Sequence, residues 1–218
     1  MIKLVIFDLD GVLYESKEFH FDALNSALEE IDKKYIISKE EHLNTYDGLS
    51  TNKKLELLTL NKGLDPKFYE KIWHKKQEIT SYLLNSINPN EKLISYLSLL
   101  KNEDIKIVCC SNSIRKTVQK VLENLGLAEL FDSVYSNEDV TNPKPHPEMY
   151  WAPMIKYSIK PNETVVIEDS PVGRLGAKMS GCNTIFINNP NDVNNKLIDK
   201  ILNMDSKSID SNLNTYID

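Results

Sequence analysis

The chain has 218 residues, 41% of them hydrophobic and 27% charged, the balance of a folded globular protein rather than a disordered one. Its net charge of −6 disfavours nucleic acid or an anionic membrane surface as a partner, because any anion must be held by local groups against the overall field. No stretch approaches the roughly 18 apolar residues of a membrane span, and the apolar run before Asp8 is too short for a signal-peptide core. A cytoplasmic protein without a membrane is expected, and, with no strong exposed apolar stripe in the sequence, a monomer. The three cysteines, Cys109, Cys110 and Cys182, fit no disulfide framework or zinc spacing and read as reduced, mostly buried small hydrophobes.

Leu4-Val5-Ile6-Phe7 reads as a strand covered on both faces, followed at once by Asp8 and Asp10. A carboxylate at the end of such a strand is costly without a partner, so these acids either face water or hold something. Residues 15–84 then contain no convincing strand but several helical segments in a row. Ser16 precedes Phe19, Ala23, Ala27 and Ile31; Ser38-Lys39-Glu40-Glu41 has the form of a capping box; Gly63 closes the segment with Leu55 and Leu58; Asp65-Pro66 opens the one with Phe68, Ile72 and Ile79.

From Asn88 onward strands and helices alternate. A helix carrying Leu93, Leu97 and Leu100 leads to a strand at 105–110, and a helix with Val118, Leu122 and Leu125 ends at Gly126. Residues 133–135 make a weaker strand, and 164–167 and 184–187 make two more. Pro153 is expected to kink or break the helix after 146–150, and Gly176 to cost its helix roughly 1 kcal/mol. The Asn- and Asp-rich tail holds one helix near 193–202, with the last dozen residues loosely attached. The expected fold class is α/β, a doubly wound parallel sheet formed by 1–14 and 85–218, with residues 15–84 as a small helical domain inserted after the first strand. Loops leaving the carboxyl ends of parallel strands sit over the ligand crevice, so this insert is placed to act as a lid.

Three strands end in polar groups at that same edge: Asp8, then Ser111-Asn112-Ser113, then Glu168-Asp169. Three carboxylates brought within about 4 Å repel by roughly 1 to 4 kcal/mol per pair, so the arrangement calls for a cation. Oxygen ligands without histidine favour Mg²⁺. Lys144 lies between Pro143 and Pro145, where a stiff loop can fix an ammonium. A carboxylate nucleophile, a second acid, a hydroxyl, backbone amides, a fixed positive charge and a dication are the parts of phosphoryl transfer. An EF-hand is excluded, since Gly11 falls at the fourth position of the loop and Phe19 at the twelfth.

With "FDLDGV", the serine of "CCSNS", the lysine of "NPKPHPEMY" and "IEDSPVG" in this order, the chain resembles the haloacid dehalogenase superfamily, in its branch of β-phosphoglucomutase and small-molecule phosphatases. The resemblance implies a Rossmann-like core with a helical cap. It implies that Asp8 attacks phosphorus to form an aspartyl phosphate, and that Asp10 protonates the leaving oxygen and then deprotonates water. It further implies that Ser111, Asn112 and Lys144 bind the phosphoryl oxygens, and that Mg²⁺ is held by Asp8, Asp10 through its carbonyl, Asp169 and, directly or through water, Glu168. Asp10 sets the chain apart from the family's dehalogenases, which act on carbon.

Phosphatase against mutase turns on "YDGLSTNKK". In the mutases this loop carries a lysine before the glycine and an arginine soon after it, to grip a second phosphate; here Asp47 and Thr51 stand in those places. The reading is therefore a phosphatase acting on a small phosphomonoester, with a sugar phosphate the favoured kind, and a phosphohexose mutase is the alternative. His20, Thr51 and Lys76 are the expected cap contacts to substrate, although Lys53, Lys54 and Lys76 on helices read more readily as solvated. A phosphoaspartate receiver shares the acids and the lysine but lacks the acid–base group at Asp10 and the insert.

Overall fold

The computed structural model describes residues 1–205, so the expectation for the end of the tail falls outside the described residues. Five parallel strands form one sheet: β1 (Leu4–Phe7), β2 (Lys106–Cys110), β3 (Ser133–Tyr135), β4 (Thr164–Glu168) and β5 (Asn183–Phe186), in the order β3-β2-β1-β4-β5. Side chains alternate between its two faces. Val5, Phe7, Ile107, Cys109, Val165 and Ile167 face one apolar layer, while Leu4, Ile6, Val108, Cys110 and Val166 face the other. The first layer is completed by α5 (Glu91–Asn102), α6 (Arg115–Asn124) and α9 (Asn195–Leu202), the second by α7 (Glu148–Tyr157) and α8 (Pro171–Ser180). Burial on both sides is why these strands are continuous apolar runs in the sequence. The adjacent Cys109 and Cys110 thus point to opposite layers, and all three cysteines are free thiols.

Register places the chemistry. Phe7 pairs with Cys109 on one side and Ile167 on the other, so one residue further Asp8 comes level with Cys110 and Glu168. The amide of Asp8 donates to the Ile167 carbonyl at 3.0 Å, and that of Ser111 to Tyr135 at 2.9 Å, which ties these strand ends to one edge.

Between β1 and α5 the longer elements are all helical: α1 (Lys17–Glu29), α2 (Lys39–Glu41) running on into a π-helical turn His42–Tyr46, α3 (Thr51–Lys62) and α4 (Tyr69–Leu84). The Ser38 capping box is complete in both directions, and Gly63 ends α3 with φ +68°. Ser16 occupies the N-cap of α1 without making the side-chain bond that its place suggests. These helices enclose a separate apolar cluster that includes Leu24, Leu28, Tyr46, Leu55, Leu58 and Ile72. Among the described residues no helix is long and apolar enough to cross a membrane.

One expectation is corrected and another gains a structural reason. Pro153 does not break α7, which runs unbroken past it. Proline removes the amide that would bond the carbonyl four residues back, here Met149, and that carbonyl instead accepts the Cys110 thiol at 3.2 Å. Gly176 is not merely a weak helix former, since a Cβ there would lie 2.9 Å from the Pro145 carbonyl oxygen and 3.1 Å from the Tyr150 ring. Its missing side chain lets α8 close on the loop that carries Lys144.

Candidate active site

Asp8, Asp10, Ser111, Lys144 and Asp169 converge on one cavity edge, between the sheet and the helical insert. Lys144 is at the centre. Its ammonium donates to Asp8 Oδ1 at 2.7 Å, to the Cys110 carbonyl at 2.7 Å and to Glu168 Oε1 at 2.5 Å, with its side chain only 3% exposed. Burial pushes this lysine down, but the Asp8 and Glu168 carboxylates outweigh it and leave it well above the usual range, hence charged. Its loop is pinned by Asn112, whose Oδ1 accepts the Lys144 amide at 3.0 Å and whose Nδ2 donates to the Lys144 carbonyl at 3.1 Å. The same Nδ2 donates to the Gly48 carbonyl at 2.8 Å, so Asn112 also ties the loop before α3 down onto the sheet edge.

Asp8 is pushed well above the ordinary carboxylate range, by burial first and then by the neighbouring Glu168, with Lys144 opposing. Asp10 behaves differently. Burial raises it, yet the charge and hydrogen bond of His20, together with Ser113, bring it below its ordinary value. Its Oδ1 accepts from Tyr14 at 3.0 Å and lies 2.8 Å from His20 Nε2, while its Oδ2 accepts from Ser111 at 3.2 Å and Ser113 at 2.9 Å. The carboxylate two residues beyond the nucleophile candidate is thus held by four donors from three segments of the chain.

Asp8, Glu168 and Asp169 each offer a carboxylate oxygen within 4.8 Å of the other two, among the described residues. Burial and Glu168 raise Asp169 to about 7, against Lys17, whose ammonium lies 3.0 Å from Asp169 Oδ2. Oδ1 of Asp169 is buried with no hydrogen-bond partner among the described residues. Glu168 is fully buried and already engaged by Lys144, by Tyr150 at 2.7 Å and by Ser170 at 3.4 Å. Two glycines make room for this cluster: a Cβ on Gly11, at φ +79°, would fall 2.1 Å from Asp169 Oδ2, and one on Gly173 2.0 Å from Glu168 Oε2.

The insert supplies the opposite wall. His20, Thr51 and Lys76 all line the cavity, and Lys76 Nζ lies 3.4 Å from His20 Nδ1. Lys76 and Lys54 are buried, against their reading as solvated helix lysines, whereas Lys53 stays exposed and pairs with Glu56. Burial and then Lys54 lower Lys76 to about 7. Sequence reasoning named none of Tyr14, Lys17, Lys54 or Ser113 as site residues. Ser113 was within reach, being part of the polar run that ends β2; Lys17 and Tyr14 gave no signal, because only the fold brings them to the acids.

The structure is thus an α/β fold with an acid pair at the end of its first strand, a lysine and further acids on the neighbouring strand ends and loops, and a helical wall above them. The chain belongs to the haloacid dehalogenase-like hydrolases, whose family profile matches residues 5–187. It is 28% identical over 187 residues to a β-phosphoglucomutase of Bacillus subtilis, covering 83% of this chain and 80% of that protein. It is equally 28% identical over 188 residues to a phosphorylated carbohydrates phosphatase of Thermotoga maritima, covering 85% and 84%. The crystal structure of a β-phosphoglucomutase from Clostridium difficile shares the fold, with a TM-score of 0.80 at 22% identity over 93% of this chain and 98% of that one.

Proposed function

We propose that the protein is a Mg²⁺-dependent phosphatase of a small phosphomonoester, working through an aspartyl phosphate on Asp8. The observation that carries this reading is the placement of Asp8 against a charged, buried Lys144 and beside a four-times-bonded Asp10. Relatives named as phosphatases support it, among them the Thermotoga protein and a phosphoglycolate phosphatase of Vibrio cholerae, 28% identical over 190 residues. We take residues 15–84 as the cap, and 1–14 with 85 onward as the catalytic core.

In this reading Lys144 and the Ser111 hydroxyl hold the phosphoryl oxygens while Asp8 attacks phosphorus, breaking the bond to the leaving oxygen. Asp10, ionised before substrate binds, takes up a proton on binding and gives it to that oxygen, and in the second half takes one from the water that hydrolyses the aspartyl phosphate. His20 and Lys76 lie behind Asp10 in a hydrogen-bonded line that can return the proton it gives up. The acid trio and the Asp169 oxygen without a partner fit a hard divalent cation, held by Asp8, Asp169 and the Asp10 carbonyl, with Glu168 supporting from behind through Lys144. Bound there, Mg²⁺ supplies charge neutralisation between the acids and the phosphoryl group.

Purified protein with Mg²⁺ is expected to release phosphate from an aryl phosphate, and EDTA to reduce the rate by at least about 100-fold, restored on adding excess Mg²⁺. Hydrolysis unaffected by EDTA overturns the metal assignment. The similarity to a β-phosphoglucomutase keeps a second reading in view. Incubation with a hexose 1-phosphate yields free phosphate if the enzyme is a phosphatase and the 6-phosphate if it is a mutase.

A further inference from the structure

Three buried acids, Asp8, Glu168 and Asp169, meet at the sheet edge, and two ammoniums answer them. Lys144 comes from a core loop and is fixed: its side chain is 3% exposed, and it donates to Asp8, to Glu168 and to the Cys110 carbonyl. Lys17 comes from the insert, as the first residue of α1. Its ammonium lies 3.0 Å from Asp169 Oδ2 and 3.8 Å from Asp47 Oδ2, so it joins an acid of the sheet edge to an acid of the loop before α3.

Lys17 is held far more loosely than Lys144. Its side chain is 31% exposed, against 1% for that of Asp169. Neither oxygen of Asp169 makes a hydrogen bond of regular geometry among the described residues, so the pair rests on charge and proximity rather than on a directed bond. An ammonium on a flexible four-carbon stem, with water on one side, can leave without disturbing the backbone. Asp169 cannot move to meet a new partner in the same way. It is buried, and Gly11 packs against it so closely that a Cβ there would lie 2.1 Å from Oδ2. Whichever cation neutralises this acid has to come to it.

The same carboxylate belongs to the trio that fits a divalent ion. A dication on Asp169 and an ammonium beside it repel each other, at a separation well inside the screening length of ordinary salt. We infer that Lys17 is a resident counter-ion that competes with the divalent metal for Asp169. It neutralises the acid in the metal-free protein and lowers the affinity with which the metal binds. Asp47 is the partner left to the ammonium once the metal has taken Asp169. Lys17 acts through Asp169 and takes no part in bond making, and the inference rests on the metal assignment proposed above.

The test is Mg²⁺ binding by isothermal titration calorimetry, at constant ionic strength and without substrate, in the wild-type protein, Lys17→Gln, Lys17→Met and Lys17→Arg. The two neutral variants are expected to bind Mg²⁺ about tenfold more tightly than the wild type, and Lys17→Arg, which keeps the charge, within about threefold of it. The sign separates this role from a structural one, since a variant that merely loosened the site would bind the metal more weakly. Thermal melts in EDTA read the other half. Lys17→Gln is expected to melt below the wild type, and to lower the melt much less in an Asp169→Asn background, where no charge is left to answer. Mg²⁺ affinity unchanged or weakened in both neutral variants overturns the inference, as does a melt lowered equally in the two backgrounds. Mg²⁺-dependent hydrolysis of an aryl phosphate alongside either result sinks this inference alone, whereas no Mg²⁺ binding by the wild type or any variant sinks the metal assignment with it.

Discussion

Asp8→Asn is expected to lower phosphate release by at least about 10⁴-fold, the loss typical of removing the nucleophile from a covalent mechanism. The substitution keeps the shape of the side chain and an oxygen able to accept the Lys144 hydrogen bond, so the fold survives it. Indeed the metal-free protein gains from it. Burial and Glu168 hold Asp8 well above its ordinary range, which means that its ionised form destabilises the folded state at neutral pH. A neutral amide removes that repulsion, and the melting temperature without metal is expected to stay level or rise. Phosphate release and a thermal melt on the same sample check both halves. Turnover within tenfold of wild type contradicts the role of Asp8, and a collapse of the melt would mean that its part is structural.

Lys144→Met is expected to damage stability as well as catalysis. The ammonium makes three hydrogen bonds in a fully buried position, and its removal leaves Asp8 and Glu168 facing each other without the charge between them. Breaking a buried ion pair from one side costs about 3 to 5 kcal/mol, a large part of the stability of a domain of this size. Loss of a positioned cation at the phosphoryl oxygens costs a further 10² to 10³ or so in turnover. The sign of the pH response separates this cause from simple loss of packing. With Lys144 gone the Asp8 carboxyl titrates still higher in the folded state, so the folded form binds protons more tightly than the unfolded chain. Stability is then greatest at low pH and is lost as the pH rises. Urea unfolding should therefore show Lys144→Met regaining more stability than the wild-type protein does as the pH falls from about 7 to about 5. A variant equally weakened at both pH values contradicts the electrostatic account.

What the sequence made legible follows from what is local. β1, β2 and β4 stand out because a strand buried on both faces is a continuous apolar run, and their polar ends stand out because that run stops abruptly at Asp8, Ser111 and Glu168. Parallel topology then places those ends at one edge without any knowledge of contacts. The cap side was legible only as helices. Lys54 and Lys76 carry no mark that separates them from Lys53, since whether a helix lysine meets water depends on what the rest of the chain lays over it. Asp47 looked like a repelling charge because its partner, Lys17, lies thirty positions away and pairs with it only once α1 and the loop before α3 meet. Pro153 and Gly176 looked like flaws of a helix for the same reason: the Cys110 thiol that bonds the freed carbonyl, and the Pro145 carbonyl that needs the open space, come from elsewhere in the chain.

The central claim is that phosphorus passes through the Asp8 carboxylate. Mixing the wild-type protein and Mg²⁺ with a phosphate-labelled aryl phosphate, quenching in acid within milliseconds and mapping the label by peptide mass spectrometry tests it directly. The account predicts a transient acyl phosphate on the peptide that contains Asp8, absent from Asp8→Asn and lost on treatment with hydroxylamine. Rapid release of phosphate with no label on that peptide at any time, or label on another side chain, would contradict it.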